Sequence, residues 1–325
     1  MSIMPSNSLK NKYVRSIIKL GNSKAITFPQ EWTNQANLEE KSEVTLYPVD
    51  EKTIVVRAFD KEKESTKYSL DPSKWPFKLI RQAIISAFKL NVDEIHVKYK
   101  DNNQEKLYEL LIELRREIIG LDFKENDGFF IINFLLDSRK TDVHEVVSDL
   151  ANVFKSIIIK AIEGTLKKND AILLAEVDRK YSLGTRILIT GLSEFPISKG
   201  YKNLPIIRFL GDRVILLYIR DFINETYFLR EASSDLITKY SGILKKIPQL
   251  LIRVIKEYAN INIEVISEFQ EYLHQLNADL QSIKHDDASP EEQQFRNLIA
   301  YYLNSYRNFL DIGITRLIES EIGMT

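Results

Sequence analysis

The spacing of apolar residues changes character along the chain. Between residues 13 and 57 they come in short runs: Val14, Ile17 and Ile18, then Ala25 to Phe28, then residues 43–48 and 53–57. Such runs, bounded by turn formers, predict strands. Leu20-Gly21-Asn22-Ser23 is a turn cluster with residues suited to positive φ, and residues 50–52 make a second turn. Pro29 stops the second strand and suits the first position of a short helix, where Glu31 adds negative charge near the start. A segment of about 45 residues is too short to close a core alone. Partner strands from a second chain are therefore expected.

Residues 60–71 are charged and show no periodicity, so a connector and a domain boundary are expected there. Residues 75–137 read as a small α/β unit: a helix over 76–89, a strand over 94–99, a helix over 104–119, and a hairpin turning at Asn126-Asp127-Gly128. From residue 138 onward the period becomes helical. Val143, Val146, Val147, Leu150, Val153, Phe154, Ile157, Ile158 and Ala161 follow i, i+3, i+4 spacing. Later helices are predicted over 169–190, 204–232, 235–259, 261–284 and 290–321, with an interruption at Ser233-Ser234. Ser289-Pro290-Glu291-Glu292 has the form of an N-cap, a proline at the first helical position and acids in the first turn. Six helices in sequence suggest two three-helix bundles joined end to end. The fold class is mainly α with a small β-rich N-terminal domain.

Composition narrows the chemistry. The chain has 325 residues, no Cys and only four His, so thiol nucleophiles and Cys-ligated metals are excluded and a reducing, cytoplasmic location is expected. No apolar run reaches the length of a membrane span. His96, His144, His274 and His285 stand apart without a ligand set, and no nucleophile–base constellation suggests an enzyme. Trp32, Trp75, Tyr301, Tyr302 and Tyr306 read as core or interface anchors. The net charge of −1 conceals a bias: residues 1–30 hold Lys10, Lys12, Arg15, Lys19 and Lys24 with no Asp or Glu. A positive surface of this kind suits phosphate contacts, and a lysine-protected β edge is the ordinary alternative.

The run YVRSIIKLGNSKAITFPQEW, followed by residues 44–48 and 54–57, resembles the SpoVT/AbrB swapped-hairpin family. Lys19, Gly21 and Ser23 and then Ile26-Thr27-Phe28-Pro29 carry the likeness over about 45 residues. The resemblance implies an interleaved dimer that binds double-stranded DNA. It assigns contacts to Lys12, Arg15, Lys19 and Lys24, with Asn22 and Ser23 as turn residues near the phosphates. The family also includes antitoxins, whose partners usually need a short segment, not the 250-residue helical extension found here.

A second resemblance covers residues 75–325. Arg81 to Ile85, Glu94 to Val97, Leu114 to Asp122 and the helical region beyond look like archaeal PhoU-like regulators, some of which carry an AbrB-like domain in front. That likeness implies two three-helix bundles, a role in phosphate-uptake control and, in many members, metal clusters held by Glu/Asp-x-x-x-Asp pairs. This chain departs from the pattern. Glu176 and Asp178 remain, but Leu174 precedes Asp178 by four residues, and Arg220-x-x-x-Asn224 and Arg307-x-x-x-Asp311 stand where carboxylate pairs are expected. An Arg opposes a divalent cation by charge and cannot ligate it. No metal and no cofactor are expected; instead, Arg220 is expected to pair with Asp178 or Glu176, and Arg307 with Asp311.

The two resemblances together set the expected layout. Residues 1–60 form a DNA-binding and dimerisation domain, 61–74 a linker, 75–137 an α/β subdomain, and 138–325 a helical domain divided near 233/234. The expected function is a DNA-binding regulator acting as a homodimer or a higher oligomer built from it, with a protein partner accommodated at the helical domain. The rival is an adaptor of phosphate transport signalling whose N-terminal module only dimerises.

Overall fold

A computed structural model describes residues 12–48, 51–58, 65–72, 74–100, 102–166, 171–193, 208–257, 261–283 and 289–322. Lys10, His285, the turn residue Asp50, most of the connector and the loop preceding residue 208 lie outside the described residues. So do the side chains of residues 171–174, Leu174 included. The chain divides into two units, residues 1–64 and 65–325.

The first unit holds two hairpins and a short helix. Strands β1 (Ile18–Leu20) and β2 (Ser23–Ala25) pair antiparallel, α1 spans Gln30–Gln35, and β3 (Val44–Pro48) pairs antiparallel with β4 (Ile54–Ala58). Gly21 has φ of +60°, so the turn needs a residue free of the Cβ penalty at its first central position. Pro29 supplies the N-cap of α1 with an extended ψ of 133°, one position earlier than its expected place inside the helix. The predicted strand Ala25 to Phe28 forms a ladder only as far as Ala25. Among the described residues Ile26 and Phe28 have no strand neighbour, and both stay exposed.

The second unit begins where a connector is expected. Residues 67–70 form β5 (Lys67–Leu70), which lies parallel to β6 (Glu94–Lys98). This corrects the linker at 61–74: a tetrad with a single buried residue, Leu70, carries no legible period, and its partner lies far along the chain. The four-stranded sheet has the order β5-β6-β8-β7, with β7 (Leu121–Asn126) and β8 (Phe129–Phe134) joined by the predicted Asp127-Gly128 turn. Helices α2 (Phe77–Lys89) and α3 (Gln104–Glu117) bury Ile80, Ile84, Phe88, Leu107, Leu111 and Leu114 with Ile95, Val97, Phe130 and Ile132 of the sheet.

Among the described residues six α-helices follow: α4 (Val143–Ile162), α5 (Ala171–Ser193), α6 (Arg208–Thr226), α7 (Ser234–Glu257), α8 (Ile263–Ser282) and α9 (Pro290–Glu321). The predicted helix over 204–232 ends as an α-helix at Thr226, continues as a 3-10 turn to Arg230 and breaks before Ser233. The first three helices pack together, as do the last three, but α4 also lies along α7 and α6 meets α9. One continuous core therefore runs through all six, from Leu150 and Phe154 to Phe222, Leu244, Tyr302 and Phe309. The bundles lie side by side along their length, because the apolar stripe of α4 is wide enough to bury residues toward both. Gly184 lets α5 approach α6 closely, since a Cβ there would stand 2.7 Å from a Leu216 methyl.

A buried arginine ties the helices to the α/β layer. Arg186 of α5 is 2% exposed; its Nη1 donates to the carbonyls of Phe88 (2.7 Å) and Val92 (3.1 Å), where α2 ends. Its guanidinium lies 4.9 Å from the Phe88 ring centroid and 5.4 Å from that of Phe134. A cation at a helix C-terminus is favoured by the carbonyl dipoles.

Candidate nucleic-acid interface

The N-terminal hairpin arranges its charges by register. Lys19 lies directly opposite Lys24, while Ile18 faces Ala25 and Leu20 faces Ser23. Alternation along the strands puts both lysines on one face and the apolar residues on the other. Like charges directly opposed in a ladder are destabilising, so the pair is tolerated at a cost that an anion would remove. Lys12, Arg15, Asn22 and Ser23 are likewise exposed. Arg15 lies 5.8 Å from the Tyr13 ring centroid and donates to the Val14 carbonyl at 3.1 Å, and the Tyr13 hydroxyl donates to Glu31. Glu31 is thus engaged by a phenol.

The opposite property of this unit is its lack of an interior. Among its described residues none is buried. Val14 is 76% exposed, Ile17 and Leu20 68%, and Ile26, Leu46 and Ile54 more than half. Phe28 and Trp32 meet in a tilted pair, with ring centroids 5.0 Å apart. So much exposed apolar area on a small unit marks a surface suited to burial against a further layer.

The second set of predicted residues is differently arranged from expectation. Arg220 does not reach Asp178 or Glu176. Its Nε and Nη2 donate to its neighbour Asp221 (3.1 and 2.8 Å), and its Cζ lies 4.4 Å from the Tyr181 ring centroid. Glu176 accepts from Arg179 at 3.1 Å and faces Lys180 at 3.7 Å. One turn of helix separates Glu176 from both cations, so local pairing wins over a crossing to α6. Arg307 donates to Asn304 at 2.9 Å instead of pairing with Asp311, and both it and Asp311 are exposed, as is Asn224. Among the described residues no three His, Cys, Asp or Glu side chains converge as a metal would require. His96 is engaged by Glu94 at 2.7 Å, and Tyr302 and Tyr306 are buried core residues.

Lysine chemistry near Arg220 escaped the sequence reading. Lys89, the last residue of α2, lies 4.9 Å from the same Tyr181 ring centroid. Partial burial pushes its pKa below the ordinary lysine value, the nearby Arg220 and Arg213 charges push it the same way, and Asp178 opposes them. No sequence spacing signals this group, because its members come from three helices.

Residues 17–64 match the family described as antidote-toxin recognition MazE, bacterial antitoxin. No curated protein and no solved structure matches the chain. No helix among the described residues is long and apolar enough to cross a membrane. The chain therefore carries, ahead of a mostly helical body, an N-terminal domain of the AbrB-like kind to which that family belongs.

Proposed function

We propose that this protein is a cytoplasmic, non-enzymatic transcriptional regulator whose N-terminal domains pair between two chains and hold double-stranded DNA. The opposed Lys19 and Lys24 carry this reading: a hairpin that keeps two like charges face to face, beside Lys12 and Arg15, is built for an anionic partner. The match of residues 17–64 supports it. Lys12, Arg15, Lys19 and Lys24 meet phosphates, Asn22 and Ser23 follow the turn, and the apolar face opposite is covered by the second chain. With eight such cations per dimer the slope of log K against log salt is at most about −7. Replacing both Lys19 and Lys24 by Ala weakens binding to duplex DNA in fluorescence anisotropy and flattens the slope by about 3 to 4. An unchanged slope overturns the assignment.

The helical body reads a signal or a protein partner. Its likeness to archaeal PhoU-like regulators supports phosphate-uptake control as the cue, and genome-wide DNA occupancy with and without phosphate starvation tests that cue separately from DNA binding. The antitoxin description of the matched family favours one further reading, a chain that neutralises a toxin. The folded unit that begins at residue 65 stands where such a protein would use a short segment. Deleting residues 1–60 separates the readings: a regulator loses DNA, whereas an adaptor or a toxin-binding body keeps its protein partner.

A further inference from the structure

Three helices of the second unit bring cations to one aromatic ring. Lys89 closes α2, Tyr181 stands on α5, and Arg213 and Arg220 lie two turns apart on α6. The Lys89 ammonium and the Arg220 guanidinium both lie within 5 Å of the Tyr181 ring centroid, at 4.9 and 4.4 Å. Arg213 is exposed and has no ion pair or hydrogen bond among the described residues. Two carboxylates face the group: Asp221 takes the Arg220 fork, and Asp178 acts on Lys89 without a hydrogen bond to it. The Lys89 ammonium thus has two guanidinium charges beside it and no carboxylate hydrogen-bonded to it among the described residues.

We propose that Lys89 and Arg220, held on the Tyr181 ring, together with the nearby Arg213, form a binding site for a small tetrahedral oxyanion, a phosphoryl or sulfuryl group. Removing water from Lys89 while setting guanidinium groups beside it is unfavourable, and an ordinary surface would let the lysine swing into solvent. Here the ring holds it in place. An oxyanion at this spot offsets the repulsion and accepts from the ammonium and the guanidinium groups. The site lies where α5 packs against both α2 and α6, so an occupant bridges the α/β layer and the helices.

The test is isothermal titration of the full chain with inorganic phosphate, sodium sulfate and glycerol phosphate, each against sodium chloride at equal ionic strength. Saturable binding is expected in the millimolar range or tighter. Arg213→Gln, a change on an exposed face that leaves the fold intact, weakens it about tenfold, and Lys89→Met does so at least as strongly. Stronger binding of glycerol phosphate than of inorganic phosphate assigns the site to a phosphorylated metabolite, and the reverse order to the free ion. Absence of binding by all three anions, or binding that neither variant weakens, overturns the proposal.

Discussion

The two units of this chain solve the problem of burial in opposite ways. In the helical unit, Phe222 touches Phe154, Tyr302, Tyr306 and Phe309 with ring centroids 5.2–5.8 Å apart, and the core around them is closed within one chain. In the N-terminal unit no described residue is buried, although Val14, Ile17, Leu20 and Ile54 are as apolar as anything in the core. The difference is one of size and layering. A helix can hide its stripe against neighbours of the same chain, whereas two isolated hairpins have only one layer each and must borrow the second. On the proposed reading, association and DNA binding belong to the same small unit, on opposite faces of the same strands.

That contrast can be broken at several points. The largest effect falls in the helical core: Phe222→Ala costs about 3–5 kcal/mol in denaturant unfolding, the value for removing a fully buried aromatic. A smaller cost means that the core is less tightly closed than the geometry implies. Concentration dependence separates the units next. Trp32 reports the first and Trp75 the second, so single-tryptophan variants read each transition alone. The Trp32 transition gains about 1.4 kcal/mol per mole of dimer for each tenfold rise in concentration, and the Trp75 transition does not move with the first unit's association. A Trp32 midpoint independent of concentration would show that the first unit folds without a partner.

Smaller effects sharpen the picture of the helical unit. Ser289 accepts from the Glu292 backbone N–H at 3.2 Å, and Ser289→Ala costs about 1 kcal/mol in thermal unfolding. Glu292 itself is hydrogen-bonded by Lys239 at 2.6 Å and by the Tyr240 hydroxyl at 2.8 Å, which holds its carboxyl below the ordinary 4.5. A carboxylate with a lowered folded-state pKa adds stability above its unfolded value, and that contribution disappears as pH falls through the folded value. Acidification below 4.5 therefore costs the wild type more stability than Glu292→Gln, measured as the loss of denaturation midpoint. Equal losses in the two proteins would assign the acid sensitivity to other groups.

Much of the helical unit was legible because its signals are local. Ser289-Pro290 starts α9 where the capping pattern put it, and the stripe from Val143 to Ala161 is buried as its spacing required. The Asp127-Gly128 turn fell in its place for the same reason. Strand β5 was not legible, since four residues with one buried position have no period and the partner strand lies beyond a whole helix. The pairing expected for Arg220 failed on distance and competition: Asp221 is adjacent in sequence and Tyr181 faces it across the helix contact.

The amino-acid sequence by itself determined the division into a small β-rich head and a helical body, the acid-free basic run of residues 1–30, and the ends of most helices. Each is a property of neighbours within a turn or two, where backbone preference and side-chain period act directly. Only the tertiary structure decided which charges meet. The opposition of Lys19 and Lys24 follows from hairpin register, the burial of Arg186 beneath the end of α2 from the packing of α5, and the meeting of Lys89 and Arg220 at Tyr181 from the packing of α5 against α2 and α6. Charge acts through space over several ångströms, and the distances that matter are those left after the apolar faces have found each other.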